Sequence, residues 1–118
     1  MRAEVLRGHL DGLLLAVLAD GPLHGYDVVD RLRRHSGGEI DLASGTVYPA
    51  LHRLERGGLL DSRWSTGGGR RRRVYRLTPA GRSVLEEERD AWHRIASVVT
   101  RVLDGAAGRG SAPATLDT

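Results

Sequence analysis

The 118-residue chain contains no cysteine, no phenylalanine and no lysine. Without cysteine there is no disulfide framework, no thiolate metal site and no cysteine nucleophile. Without phenylalanine, and with two tryptophans and three tyrosines in all, the core has to be built from leucine, valine and alanine. Small domains with such cores often complete them by dimerising. The longest apolar run, which starts at Leu13, is far short of the roughly 20 residues that cross a bilayer. The first residues alternate Arg2, Glu4 and Arg7, unlike a secretory signal. The expectation is a soluble cytoplasmic protein, one domain in size, that does not engage a membrane. With lysine absent, every permanent cation is arginine, the better fork for phosphate and guanine.

Acid is missing from one stretch. Between Ser62 and Leu85 there is no Asp or Glu, and seven of the 18 basic residues fall there: Arg63, Arg70, Arg71, Arg72, Arg73, Arg76 and Arg82. The rest of the chain holds 11 arginines and all 15 acids, so the net +3 is +7 set against −4. Charge segregated in this way presents a cationic edge to something anionic.

Apolar periodicity organises the remainder. Leu6, Leu10, Leu13, Leu14, Val17 and Leu18 recur every three or four residues, the pattern of an amphipathic helix. Asp20-Gly21-Pro22 stops it. A second helix is expected from Leu23 to His35, with Tyr26, Val28, Val29 and Leu32 facing inward, ended by Ser36-Gly37-Gly38. A third starts at Ser44, a good N-cap, and its inward stripe is Val47, Ala50, Leu51 and Leu54. At about 100° per residue, Gly45, Pro49, His52 and Arg56 occupy the opposite face, flanked by Thr46, Tyr48 and Arg53. Two strand-like runs follow, Leu59 to Ser65 and Arg73 to Thr78. Three glycines and the first arginines of the Arg70–Arg73 run make the turn of this hairpin. Thr78 caps the last helix, with Pro79 at its first position. That helix runs to about Leu103, and Leu85, Trp92, Ile95, Val99 and Val102 form a coiled-coil-like seam. At about 1.5 Å per residue it is nearly 40 Å long, too long to be covered by a three-helix domain, so the seam needs a partner. The sequence divides into a domain over residues 1–78, a dimerisation helix over 79–104 and a disordered tail over 105–118.

Three helices followed by a basic-tipped hairpin is the order of a winged helix-turn-helix, mainly α with a two-stranded β hairpin, plus a long C-terminal helix. In that arrangement the third helix enters the major groove and the hairpin tip lies on phosphates or in the minor groove. Ser44 and Thr46 stand where amide N–H groups also favour a phosphate. Tyr48 offers a phenolic donor, Pro49 an apolar contact for a thymine methyl, and His52 and Arg53 can reach base edges or backbone. Arg70, Arg71, Arg72 and Arg73 suit phosphates. Enzyme chemistry is not expected: the five histidines form no close metal pair, Gly67-Gly68-Gly69-Arg70 lacks the Gly-Lys-Ser/Thr of a P-loop, and no nucleophile elbow is present. No metal or cofactor is expected.

A set of motifs also resembles a known family. They are Leu6-Arg7-Gly8, Pro22-Leu23-His24-Gly25-Tyr26, Ser44-Gly45-Thr46-Val47-Tyr48-Pro49-Ala50-Leu51, Leu54, Gly58-Leu59-Leu60 and Tyr75-Arg76-Leu77-Thr78-Pro79-Ala80-Gly81. Their order and spacing, over roughly Leu6 to Val102, resemble the PadR family of bacterial transcriptional regulators, in its short subgroup with one C-terminal dimerisation helix. The resemblance implies a homodimeric repressor of a pseudo-palindromic operator on double-stranded DNA, released by a small-molecule effector. It places Thr46 and Tyr48 near the DNA backbone. It also implies a dimer contact through Leu6, Leu10, Leu85, Trp92, Ile95, Val99 and Val102. Trp92 would be a platform for flat ligands, with Leu10, Leu14, Ile95, Ala96 and Val99 as walls. Three positions depart from the family pattern: Ser44 where many members have Pro, Val47 where Leu is usual, and Val74 in place of an aromatic. Two other readings are a winged-helix protein–protein adaptor and a sensor of an anionic, nucleotide-like ligand docked on arginine.

Overall fold

The computed structural model of the chain describes residues 1–107, the last two by backbone alone. A 3-10 turn at Ala3–Leu6 leads to α1 (Leu10–Val17), β1 (Leu23–His24), α2 (Gly25–His35) and α3 (Ser44–Arg56). Then come β2 (Leu60–Ser65), a second 3-10 turn at Gly67–Gly69, β3 (Arg72–Leu77) and α4 (Pro79–Ala107). The chain falls into two units, Met1–Glu86 and Glu87–Thr118. The first is mainly helical with a small antiparallel sheet in the order β1-β3-β2, the architecture of a winged helix.

Several local expectations give way to tertiary context. The first helix is interrupted at Gly8, whose φ of +88° is left-handed. The sheet has three strands rather than two. Leu23 pairs with Tyr75 and His24 with Val74, covering the edge of β3 that a lone hairpin would leave open. Those two residues are therefore extended, and α2 starts only at Gly25. Tyr26, expected in the core, is 67% exposed. On a helix it lies well away from Val28 and Leu32, which are the buried pair. Ser44 does not cap α3. Ala43 takes the cap position with extended φ/ψ of −71° and 150°, Ser44 is the first helical residue, and no side chain caps the first turn.

The core of the first unit is aliphatic apart from Tyr75. Leu14, Leu15, Leu18, Val28, Val47, Leu51, Leu60 and Tyr75 are essentially inaccessible, and Leu6 and Leu85 complete the cluster. Each such side chain contributes about 1.5–3 kcal/mol on burial. Leu6, Leu14 and Leu85, expected at the dimer contact or the ligand wall, thus have their side chains inside this core.

The first turns of α4 belong to the same unit. Thr78 Oγ1 accepts the Gly81 N–H at 3.0 Å and donates to the Gly58 carbonyl at 2.7 Å. Gly81 rests directly on the Leu59 carbonyl, where a Cβ would collide. Within the second unit, Trp92, Ile95, Val98, Val99, Val102 and Leu103 are exposed and recur along one face of the helix. Helix α4 continues through Gly105, expected to start the tail, to Ala107; the rest of the expected tail lies outside the described residues. No helix among the described residues is long and apolar enough to cross a membrane.

Candidate nucleic-acid interface

Helix α3 buries Val47, Ala50, Leu51 and Leu54, which turns Gly45, Pro49, His52 and Arg56 outward. Tyr48 stands at one edge of this outward face, half-buried, and its ring lies against the start of α2. The contact requires glycine at position 25, because a Cβ there would overlap the Tyr48 ring. At the other edge Thr46 and Arg53 share a shallow hollow with Leu10 and Asp11, and the Arg53 guanidinium is ion-paired with the Asp11 carboxylate.

The hairpin pairs Leu60 with Leu77 through to Ser65 with Arg72. Its turn is made by glycines, with φ of +76° at Gly68 and +79° at Gly69, a region that disfavours side chains. The arginines around the tip are not equivalent. Arg73 Nε donates to Ser62 Oγ at 2.9 Å, and its NH2 group lies 3.6 Å from Glu55 Oε2. Ser62 Oγ in turn donates to Glu55 at 2.5 Å. Arg76 faces Asp61 at 3.4 Å. The Arg71 guanidinium lies over the Trp64 ring. Arg70 and Arg72 are exposed and have no acidic partner among the described residues.

These elements meet in one open groove of about 860 Å³. Its lining joins His24, Gly25, Tyr26 and Asp27 at the head of α2, Tyr48 and His52 from α3, Arg70 to Arg73 from the hairpin, and Tyr75. Burial, then Glu55, pushes the Tyr75 phenol above its usual range. Asp30, also on the rim, is held below the usual carboxylate range by its hydrogen bond from Arg33. His24 Nδ1 is buried without a hydrogen-bond partner. Among the described residues no three His, Asp or Glu side chains converge as metal ligands.

Of the residues expected at the interface, Tyr48, His52 and Arg70 to Arg73 share this groove. Pro49 is exposed beside it, Ser44 lines a smaller hollow with Tyr26 and Arg33, and Thr46 and Arg53 lie across the helix. Trp92, Ile95, Ala96 and Val99 belong to the second unit. Leu10 is half-buried in the first. Sequence reasoning missed three residues on this face. Tyr26, expected in the core, has a helical phase that points away from Val28 and lines the groove instead. Arg56 is outward and unpaired among the described residues, a phase already legible in the sequence. Trp64 is exposed on β2, and nothing local in the sequence singles it out.

Comparison with known proteins agrees with this architecture. The family model of the transcriptional regulator PadR-like family matches residues 14–87. A transcriptional regulator of Mycobacterium tuberculosis is 44% identical over 93 residues, 79% of this chain and 84% of that protein. The crystal structure of a PadR-family transcriptional regulator from Eggerthella lenta superposes with a TM-score of 0.75 at 39% identity, covering 86% of this chain and 87% of that one. Bacillus subtilis PadR, solved in complex with operator DNA, superposes with a TM-score of 0.62 at 26% identity over 70% of this chain and 46% of that chain.

Proposed function

The chain belongs to the PadR-like family of transcriptional regulators, and from that premise we propose that it is a homodimeric repressor that binds a pseudo-palindromic operator through the groove face. The observation that carries this reading is the convergence of α3 and the arginine hairpin on one open groove. Outward residues of α3 meet base edges, with His52 and Arg56 as donors and Pro49 against a methyl. Arg70 and Arg72 lie on phosphates, their charge uncommitted within the protein. Tyr48, braced on Gly25, and Tyr26 beside it add hydroxyl donors to the backbone. The capless first turn of α3 leaves amide N–H groups for another acceptor. Thr46 and Arg53 reach the DNA from the far edge, Arg53 exchanging Asp11 for a phosphate.

The apolar face of α4 supports the dimer. Its Trp92 offers a flat platform for an aromatic effector, whose binding would release the operator. The arginine-lined groove supports a second reading, an anionic nucleotide-like effector competing with DNA for the same guanidinium groups. Nucleotides that displace duplex at fixed ionic strength would favour that reading over the aromatic effector.

The test is a gel shift on the DNA upstream of the protein's own gene, with excess non-specific competitor and a salt series. A discrete complex that survives competitor is expected. If each subunit neutralises about three or four phosphates, log K falls with log salt at a slope near −6. Replacing Arg70 and Arg72 by alanine removes two contacts per subunit and should flatten that slope by about 3–4. A smear that vanishes with salt, or an unchanged slope in the double variant, would remove the hairpin from the DNA contact and favour a protein–protein adaptor.

A further inference from the structure

Trp64 is 54% exposed on β2, so it contributes little to the core. Its cross-strand partner is Arg73, and the guanidinium carbons of Arg71 and Arg73 lie 4.3 and 5.0 Å from its ring centroid. Both distances fall within the range in which a cation is attracted to the negative face of an indole. The two arginines differ in what else holds them. Arg73 is fixed by Ser62 and Glu55, and its charge is compensated there. Arg71 has no acidic partner among the described residues, and its guanidinium rests instead over the indole. It follows a turn of three glycines, two of them left-handed, which offer no side chain to restrain the tip. An acidic residue could have restrained Arg71, at the expense of its charge. An indole restrains it and leaves the full positive charge available.

We propose that Trp64 is a positioning residue of the hairpin, whose ring holds the Arg71 guanidinium in place for a DNA phosphate. Arg73, locked between Glu55 and Ser62, braces the ring from the strand, and Arg71 is the cation presented. The proposal rests on the DNA-binding reading above and assigns within it one residue that acts through another. Preordering a side chain raises affinity by lowering the entropy lost on contact, so the effect belongs to Arg71 and vanishes without it.

The experiment is a thermodynamic cycle on a fluorescein-labelled, mixed-sequence DNA duplex, read by anisotropy at low salt. The proteins are the wild-type chain, Trp64→Ala, Arg71→Ala and the double variant. Trp64→Ala should weaken binding about two- to five-fold per wing, the size of an exposed cation–π contact. It should add nothing in the Arg71→Ala background. Trp64→Phe, which keeps a ring, should retain most of the affinity. If Trp64→Ala does not fold, Trp64→Leu supplies apolar bulk without a π face and should behave as the alanine variant is expected to. Equal losses with and without Arg71 would mean that the indole meets DNA itself and would overturn the proposal, as would no loss at all. Failure of the wild-type chain to bind any duplex would sink the DNA-binding reading and this proposal together. Wild-type binding without coupling would sink this proposal alone.

Discussion

Gly25 and Tyr48 show how one missing methyl group shapes the candidate interface. A Cβ at position 25 would overlap the Tyr48 ring, so Gly25→Ala has to push that ring out of its seat in the groove. The helix itself tolerates alanine at its first position, and stability should change by about 1 kcal/mol or less. Duplex affinity should fall about five-fold, the equivalent of one hydrogen bond of about 1 kcal/mol. Thermal melting and anisotropy together separate the two effects; equal affinity would remove Tyr48 from the contact. Tyr75 carries a pH prediction. Lysine and cysteine are absent, so tyrosine is the side chain that titrates near pH 10. Burial raises the Tyr75 phenol above its ordinary 10.0, so the unfolded chain loses this proton first. Stability should therefore hold below about pH 10, fall as pH rises through the unfolded value, and level off only above the folded one. Urea midpoints measured across that window should decline for the wild-type chain and stay flatter for Tyr75→Phe.

At the scale of elements, the start of α4 is secured to the turn before β2 by the Thr78 hydroxyl and by the contact of Gly81 with Leu59. Thr78→Ala loses a cap and should cost about 1 kcal/mol. Gly81→Ala forces a Cβ onto a backbone carbonyl, which cannot swing aside, and should cost about 1–3 kcal/mol or more. Urea denaturation ranks the two, and the reverse order would place the anchoring at the hydroxyl instead. Elements whose signal is local were legible in the sequence. Helix α3, its outward face, the hairpin and the Thr78-Pro79 start of α4 all follow from periodicity, glycine placement and capping chemistry. Strand β1 was not legible. Two residues carry no period, and Leu23 and His24 are extended only because β3 has an edge to pair. The cap of α3 falls one residue before Ser44, which is a favourable cap by type, because the backbone turns at Ala43.

For the whole molecule, charge and apolar surface are segregated along the chain. The basic excess sits on the hairpin and the first turns of α4, and the exposed apolar face lies on α4 beyond Glu86. Val99 lies on that face and is no part of the first unit's core, so Val99→Asp should leave that unit folded. Placing an unpaired carboxylate in an apolar contact costs several kcal/mol, more than about 2 even on lenient scales. Sedimentation equilibrium is therefore expected to give a dimer for the wild-type chain and a monomer for Val99→Asp, with discrete operator complexes lost. A variant that sediments like the wild type would remove this face from the dimer. The seam residues from Trp92 onward were legible because a helical stripe is a local pattern. The sharing of that stripe, with Leu85 taken into the first unit's core, was not.

The amino-acid sequence alone determined the winged-helix class, the outward face of α3, the arginine-tipped hairpin and the apolar stripe of α4. Each of these depends on side-chain type repeated at short spacing, which the chain carries wherever it folds. The tertiary structure decided how those parts are used. It committed Arg73 to Glu55 and left Arg70 and Arg72 uncommitted, set Arg71 on Trp64 and seated Tyr48 on Gly25. Those outcomes depend on which distant segments meet and on which charges find partners there, and no local pattern encodes either.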